Sequence, residues 1–318
     1  MTGDSFDKRG VHRMFSIWEL ILQQLVNGLI MGSFYALVAL GYTMVYGIIK
    51  LLNFAHGDIF MVGAFVSFSI FGAMALTVPG WPGIILSMLV AMCAAGALGF
   101  LVQRFAYRPL IKANAPRLSL LITAIGVSLI IYNAVMVITD SRTFFFQSGL
   151  VASPVVQAGE FRLTDIQIIL LAISATLMTG LTLLIRKTMV GKAMRAIALD
   201  KDTCRLMGIN VYKIIGITFF IGSALAAIAS GMYNILYVNV AFDMGYMFGI
   251  KAFTAAVIGG IGSIPGAMLG GLLLGLLEAM GTQFVGSQWK DVFAFGLLII
   301  ILIFRPNGLM GKTEIERM

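Results

Sequence analysis

Runs of about 20 mostly apolar residues recur along the chain, separated by short polar gaps, and this repetition limits the fold more than any other feature. A helix needs about 20 such residues to cross the hydrocarbon of a bilayer, because no water is there to satisfy its backbone. Hydropathy places spans at 21–48, 55–76, 83–103, 118–138, 166–185, 214–236, 251–262, 266–284 and 291–304. The 251–262 segment is too short for a full crossing, so the reading is eight or nine spans, one of them short or re-entrant. The fold class is all-α, a polytopic helical membrane protein. An N-terminal extension covers 1–17, one transmembrane domain 18–311, and a short tail 312–318.

Composition supports this, since 59% hydrophobic and 11% charged residues, with a mean hydropathy of +0.97, leave too little polar surface for a soluble fold. The net charge of +8 would suit a nucleic-acid binder, but its placement points to the positive-inside rule instead. Arg104, Arg108, Lys112 and Arg117 follow the third span with no acid among them. Arg186, Lys187, Lys192, Arg195, Lys201, Arg205 and Lys213 follow the fifth, against Asp200 and Asp202. These two loops hold half of the 22 basic residues and are expected in the cytoplasm. Counting from them makes 139–165, 237–250, 285–290 and the N-terminus external and the tail internal. Lys8, Arg9 and Arg13 run against that N-terminal placement, with Asp4 and Asp7 offsetting part of their charge. The apolar run from Ile21 is too long for a cleaved signal peptide and ends on no small-residue cleavage pattern.

Motifs for chemistry fail on spacing. The nearest approach to a phosphate loop is Gly311-Lys312-Thr313, where Pro306 stands in place of the first glycine. In GGIGSIPG, 259–266, the third glycine of a dinucleotide fingerprint would fall on Pro265, between two apolar spans. Cys93 and Cys204 have no CxxC spacing, and His12 and His56 no metal-binding partner pattern. The chain is therefore not expected to be an enzyme or to bind a cofactor, so its work is passive, ion-driven or driven by another polypeptide.

Three stretches carry something. GKAMRAIALDKDTCRLMGIN, 191–210, in the coupling loop 186–213, is too polar to span and rich in helix formers; Gly208 suits the position after a helix ending near Met207. Ala196, Leu199, Thr203 and Leu206 share one face of that helix, with Lys192, Arg195, Lys201 and Arg205 largely elsewhere. Two readings stand: a helix lying at the basic membrane interface, or one docked on a partner ATPase. In LLNFAHGDIFMVGAF, 51–65, Asn53, His56 and Asp58 surround a glycine in apolar sequence. They form either a broken helix that meets a solute or an N-terminal cap at the interface. In 257–280, Gly262, Gly266 and Gly270 at four-residue spacing, echoed by Gly28 and Gly32, make small-residue seams, within one subunit or towards a second. Glu278 on the same late span lines a pathway, pairs with a buried donor, or reaches solvent at the external end.

NGLIMGSFYALVALGYTMVYG at 27–47, NFAHGD at 53–58, the 191–210 loop, GGIGSIPGAMLGG at 259–271 and FRPNGLMG at 304–311 together resemble the permeases of branched-chain amino acid ABC importers. The likeness is closer to the H-type than to the M-type subunit and covers about 20 to 311. It implies a heterodimer with an M-type permease, two cytoplasmic ATPases carrying ATP-Mg, a periplasmic solute-binding protein and a multi-pass place in a bacterial inner membrane, with lipid but no nucleic acid as a further partner. Leu, Ile and Val are the implied cargo; permeases of this type also serve urea, amides and aromatic acids. Lys192, Arg195, Ala196, Leu199, Asp200, Leu206 and Gly208 would then be the ATPase-docking element. Cys204 departs from the small residue expected there. An ion-coupled secondary transporter working alone through Glu278 or Asp58 is the alternative class, and no selectivity-filter sequence favours a channel.

Overall fold

A computed structural model describes residues 5–74, 77–145, 154–158 and 161–311. The first four residues of the extension, the tail 312–318 and parts of the 139–165 loop lie outside the described residues. In chain order the helices are α1 (Ser5–Ile49), α2 (Ala55–Met74), α3 (Trp81–Val102), α4 (Arg108–Lys112), α5 (Arg117–Ile138), α6 (Asp165–Lys187), α7 (Met189–Leu199), α8 (Lys201–Leu206), α9 (Val211–Tyr237), α10 (Met244–Gly259), α11 (Ile264–Phe284) and α12 (Lys290–Phe304). A π-helical turn, Gln103–Tyr107, joins α3 to α4. Short strands β1 (Phe144–Phe145), β2 (Pro154–Ala158), β3 (Phe161–Thr164) and β4 (Asn239–Val240) pair antiparallel as β1 with β4 and β2 with β3. Among the described residues, eight helical stretches are long and apolar enough to cross a membrane, and α10 is a shorter apolar helix beside them.

Local chemistry sets many of the boundaries. Thr164 and Gln167 close a reciprocal capping box on α6, and the side chains of Thr188, Asp200, Asn210 and Ser263 each accept a backbone N–H at the start of the next helix. Pro82 and Pro265 sit in first turns, where a missing N–H costs nothing.

Helices α1, α9 and α2 form the buried middle, with α3, α10 and α11 packed on them and α5 and α12 largely at the outside. Glycine seams make the closest crossing. A Cβ on Gly28 or Gly32 would press on the backbone of Leu276 or Leu272, and one on Gly275 would overlap the backbone of Gly32. With no hydrophobic drive between helices in lipid, this backbone approach is what holds α1 to α11. Gly266 and Gly270 do the same against Gly259 and Ala255 of α10. Gly262 takes no part: it lies in the turn before α11 at φ +93° with open space around it, so the four-residue spacing overstated the seam by one member. Gly275→Val is expected to cost about 1–3 kcal/mol of overpacking, read as a lower unfolding temperature in detergent.

The two ends of the bundle differ in character. At one, the Arg162 N–H donates to Gln23 of α1 at 2.8 Å and Gln24 donates to Gln283 of α11 at 2.9 Å. At the other, Arg108, Lys112 and Arg205 all lie within 5.7 Å of the Tyr212 ring, so both basic loops meet there. The alternation counted from charge therefore holds in space, with the N-terminal part of α1 at the end opposite the basic loops.

Helix α10 completes that count in an unexpected way. Its 16 residues rise about 24 Å, short of the roughly 30 Å hydrocarbon core. It begins after an extended return that includes β4, and Gly245 and Gly249 pack on Gly57 at the start of α2. It ends beside Gly266 at the start of α11. The carbonyls of Ile258 and Gly259, which a helix end leaves unpaired, accept the N–H groups of Leu309 and Met310 at 2.9 and 3.0 Å. That is the structural work of the FRPNGLMG segment. Gly308 and Gly260, both at positive φ, allow the approach, since a Cβ on either would strike the other's segment.

Candidate translocation site

A cleft of about 660 Å³ opens between the start of α2, the middle of α5 and the first half of α10. Its walls are mainly apolar and aromatic, with Tyr42, Asp58, Ser128, Tyr132, Asp243 and Tyr246 as the side chains carrying oxygen. The beginning of α2 explains its shape. Asn53, His56 and Asp58 are all buried, but they face three ways. Asn53 accepts from the Tyr107 hydroxyl at 3.0 Å, His56 Nε2 lies 3.2 Å from the Val38 carbonyl with its ring edge-on to Tyr42, and Asp58 accepts from the Ser128 hydroxyl at 2.5 Å. Gly41 is what lets the His56 ring reach α1, since a Cβ there would overlap it. Of the three polar residues read from the sequence, only Asp58 lines the cleft. A hydroxyl from a neighbouring helix holds it, and it is also the acid in the first turn of α2.

Glu278 is buried elsewhere. Its carboxylate lies 2.9 Å from Lys251 Nζ and 3.5 Å from Lys290 Nζ and accepts from the Tyr35 hydroxyl at 2.8 Å; Lys251 also reaches Asp291 at 2.8 Å. The four charges balance, and they tie α1, α10, α11 and the start of α12 together. Of the sequence alternatives for Glu278, the buried donor is present, and the residue also borders a second cavity of about 350 Å³ with Gln24, Asn27, Gln167 and Lys290. Lys251 and Ser128 were not singled out from the sequence: one lysine inside an apolar window, and one serine on a helix facing mostly outward.

The polar loop also departs from expectation. Instead of one helix over 191–210 there are two, α7 and α8, broken at Asp200, whose carboxylate caps α8. Bonds from the Thr203 hydroxyl and N–H and from the Asp202 N–H hold the Asp200 carboxyl below its usual range, while burial and the charges of Arg205 and Arg117 push Lys201 down. Gly191, Met194 and Ile197 of α7 and Cys204 of α8 pack on the bundle with Ala196 partly buried beside them, while Leu199, Thr203 and Leu206 stay exposed. Leu199 and Leu206 are 90% and 88% exposed, with Lys192, Arg195 and Gly208 exposed beside them.

Residues 24–302 match the family described as the branched-chain amino acid transport system / permease component. The chain belongs to that family. This permease is 47% identical over 303 residues, 93% of its own length and 97% of the relative's, to the high-affinity branched-chain amino acid transport system permease protein BraD of Pseudomonas aeruginosa. To the permease protein LivH of the same kind of system in Escherichia coli K12 it is 42% identical over 301 residues, 93% of the permease and 97% of LivH. A weaker likeness, 26% over 154 residues, covers 46% of the permease and 36% of the permease protein LivM of the same organism. The permease is thus a multi-pass membrane protein, and the resemblance read from its motifs is confirmed.

Proposed function

We propose that this permease carries branched-chain amino acids across the bacterial inner membrane as one subunit of an ATP-driven importer. The observation that carries the reading is the near end-to-end likeness to BraD. The partial likeness to LivM supports a second, M-type permease beside it. Two cytoplasmic ATPases would hold ATP-Mg and hydrolyse it, and a periplasmic binding protein would deliver the solute; the permease itself makes and breaks no bonds.

The two faces of α7 and α8 support the coupling. Leu199 and Leu206 stand nearly free on a polar, basic element, an arrangement that wants a partner's groove. Gly191, Met194 and Ile197 on the other face pack this element against α6, α1 and α9. A push on the outer face therefore passes through close packing to α1, whose Tyr42 borders the cleft.

The test is uptake of labelled leucine by proteoliposomes holding the complete complex. Leu206→Asp and Arg195→Glu are expected to lower uptake at least tenfold and to reduce ATPase co-purification. Full uptake and an intact complex in both variants would defeat the docking assignment. Uptake of urea but not leucine by the parent complex would overturn the cargo, and uptake without ATPases would favour ion coupling.

A further inference from the structure

We infer that Asp58, braced by Ser128, is the resting point for the ammonium group of the solute as it passes through the cleft; this rests on the amino-acid cargo proposed above. The contrast between the two deeply buried carboxylates motivates it. Glu278 has two lysines and a tyrosine around it. Asp58 is only 4% exposed and has no cationic partner among the described residues. An ionisable group at membrane depth is expensive to keep and normally faces a partner or a water-filled path. Ser128 donates to Oδ2, and Oδ1 has no donor among the described residues.

The cleft itself fits the missing donor. Asp58 and Asp243 line it, and among the described residues no lysine, arginine or histidine does, so a positive group is drawn towards the acids. Ile125, Leu129 and Phe253 form an apolar wall near the acid, suited to an aliphatic side chain. A volume of about 660 Å³ lies inside the roughly 300–1,000 Å³ usual for small-molecule sites. Gly245 and Gly249 let the backbone of α10 close on Gly57, so the acid stands where α2 and α10 touch and where movement of either would change its surroundings.

Thiol labelling of the complete complex tests this. Cys93→Ser and Cys204→Ala first remove the native thiols, and leucine uptake in that background tests the cargo separately. Ser128→Cys is then treated with methanethiosulfonate reagents bearing either an ethylammonium or an ethylsulfonate group. The cationic reagent is expected to react at least tenfold faster, and millimolar leucine to slow it. Asp58→Asn should erase the charge preference and raise the KM for leucine tenfold or more. Leu129→Cys, on the same wall, replaces Ser128→Cys if that variant does not assemble. Equal rates for the two reagents, or no protection in a complex that transports leucine, would overturn the inference, as would lipid alone blocking the thiol. Protection by a different ammonium solute, in a complex that transports that solute and not leucine, would overturn the cargo and keep the ammonium site.

Discussion

Lys251→Met is expected to destabilise the permease by about 3–5 kcal/mol, because it leaves the carboxylate of Glu278 buried with its nearest cation gone. The cost comes from stranding a charge, not from losing a bond. Lys290 remains at 3.5 Å but is partly exposed and placed at the bundle's edge, so the loss should fall towards the lower end of that range. The decisive comparison is the double variant Lys251→Met with Glu278→Met, which removes both buried charges and should recover most of the stability. Unfolding temperatures in detergent, taken for both singles and the double, measure the coupling. Equal losses in the single and double variants would mean that the pair contributes nothing beyond packing.

Gly57→Val is expected to abolish transport while leaving the permease in the membrane. A side chain at Gly57 would overlap the Gly245 carbonyl and press on Gly249, prising α10 from α2 where the cleft lies. Overpacking of this kind costs about 1–3 kcal/mol in a packed interior, and here the displaced element is a wall of the site. Leucine uptake should fall to background, with amounts of membrane-embedded protein and of co-purifying ATPase near normal. Gly72→Val, where no atom lies within 4 Å of an added Cβ, is the matched control.

The spans and their alternation were legible because apolar length and basic loops record the two constraints a bilayer imposes. Helix α10 was read too late, from residue 251 and not 244, because Gly245, Gly249 and Lys251 dilute its apolar signal; their glycines serve close contacts that hydropathy cannot register. The break at Asp200 was readable, since an aspartate followed closely by Asp202 and Thr203 is a capping pattern, but the helix-forming run around it masked the signal. The small-residue seam was right for Gly28, Gly32, Gly266 and Gly270 and wrong for Gly262, where a left-handed turn and not packing requires the glycine. The NFAHGD segment borders the cleft through Phe54 and Asp58, but spacing could not tell that His56 turns to α1 and Asn53 to Tyr107. Ser128 lies 70 residues from Asp58, and only the fold brings them together.

The backbone pairing of Leu309 and Met310 with the end of α10 also bears on the order in which the protein is made. When the last residue of α10 is added to the chain, the partners for its last two carbonyls are still about 50 residues from being synthesised. Until they arrive, α10 ends on groups that lipid cannot satisfy. A nascent chain can therefore thread its long helices early, yet this wall of the cleft settles only once residues 309 and 310 have been added.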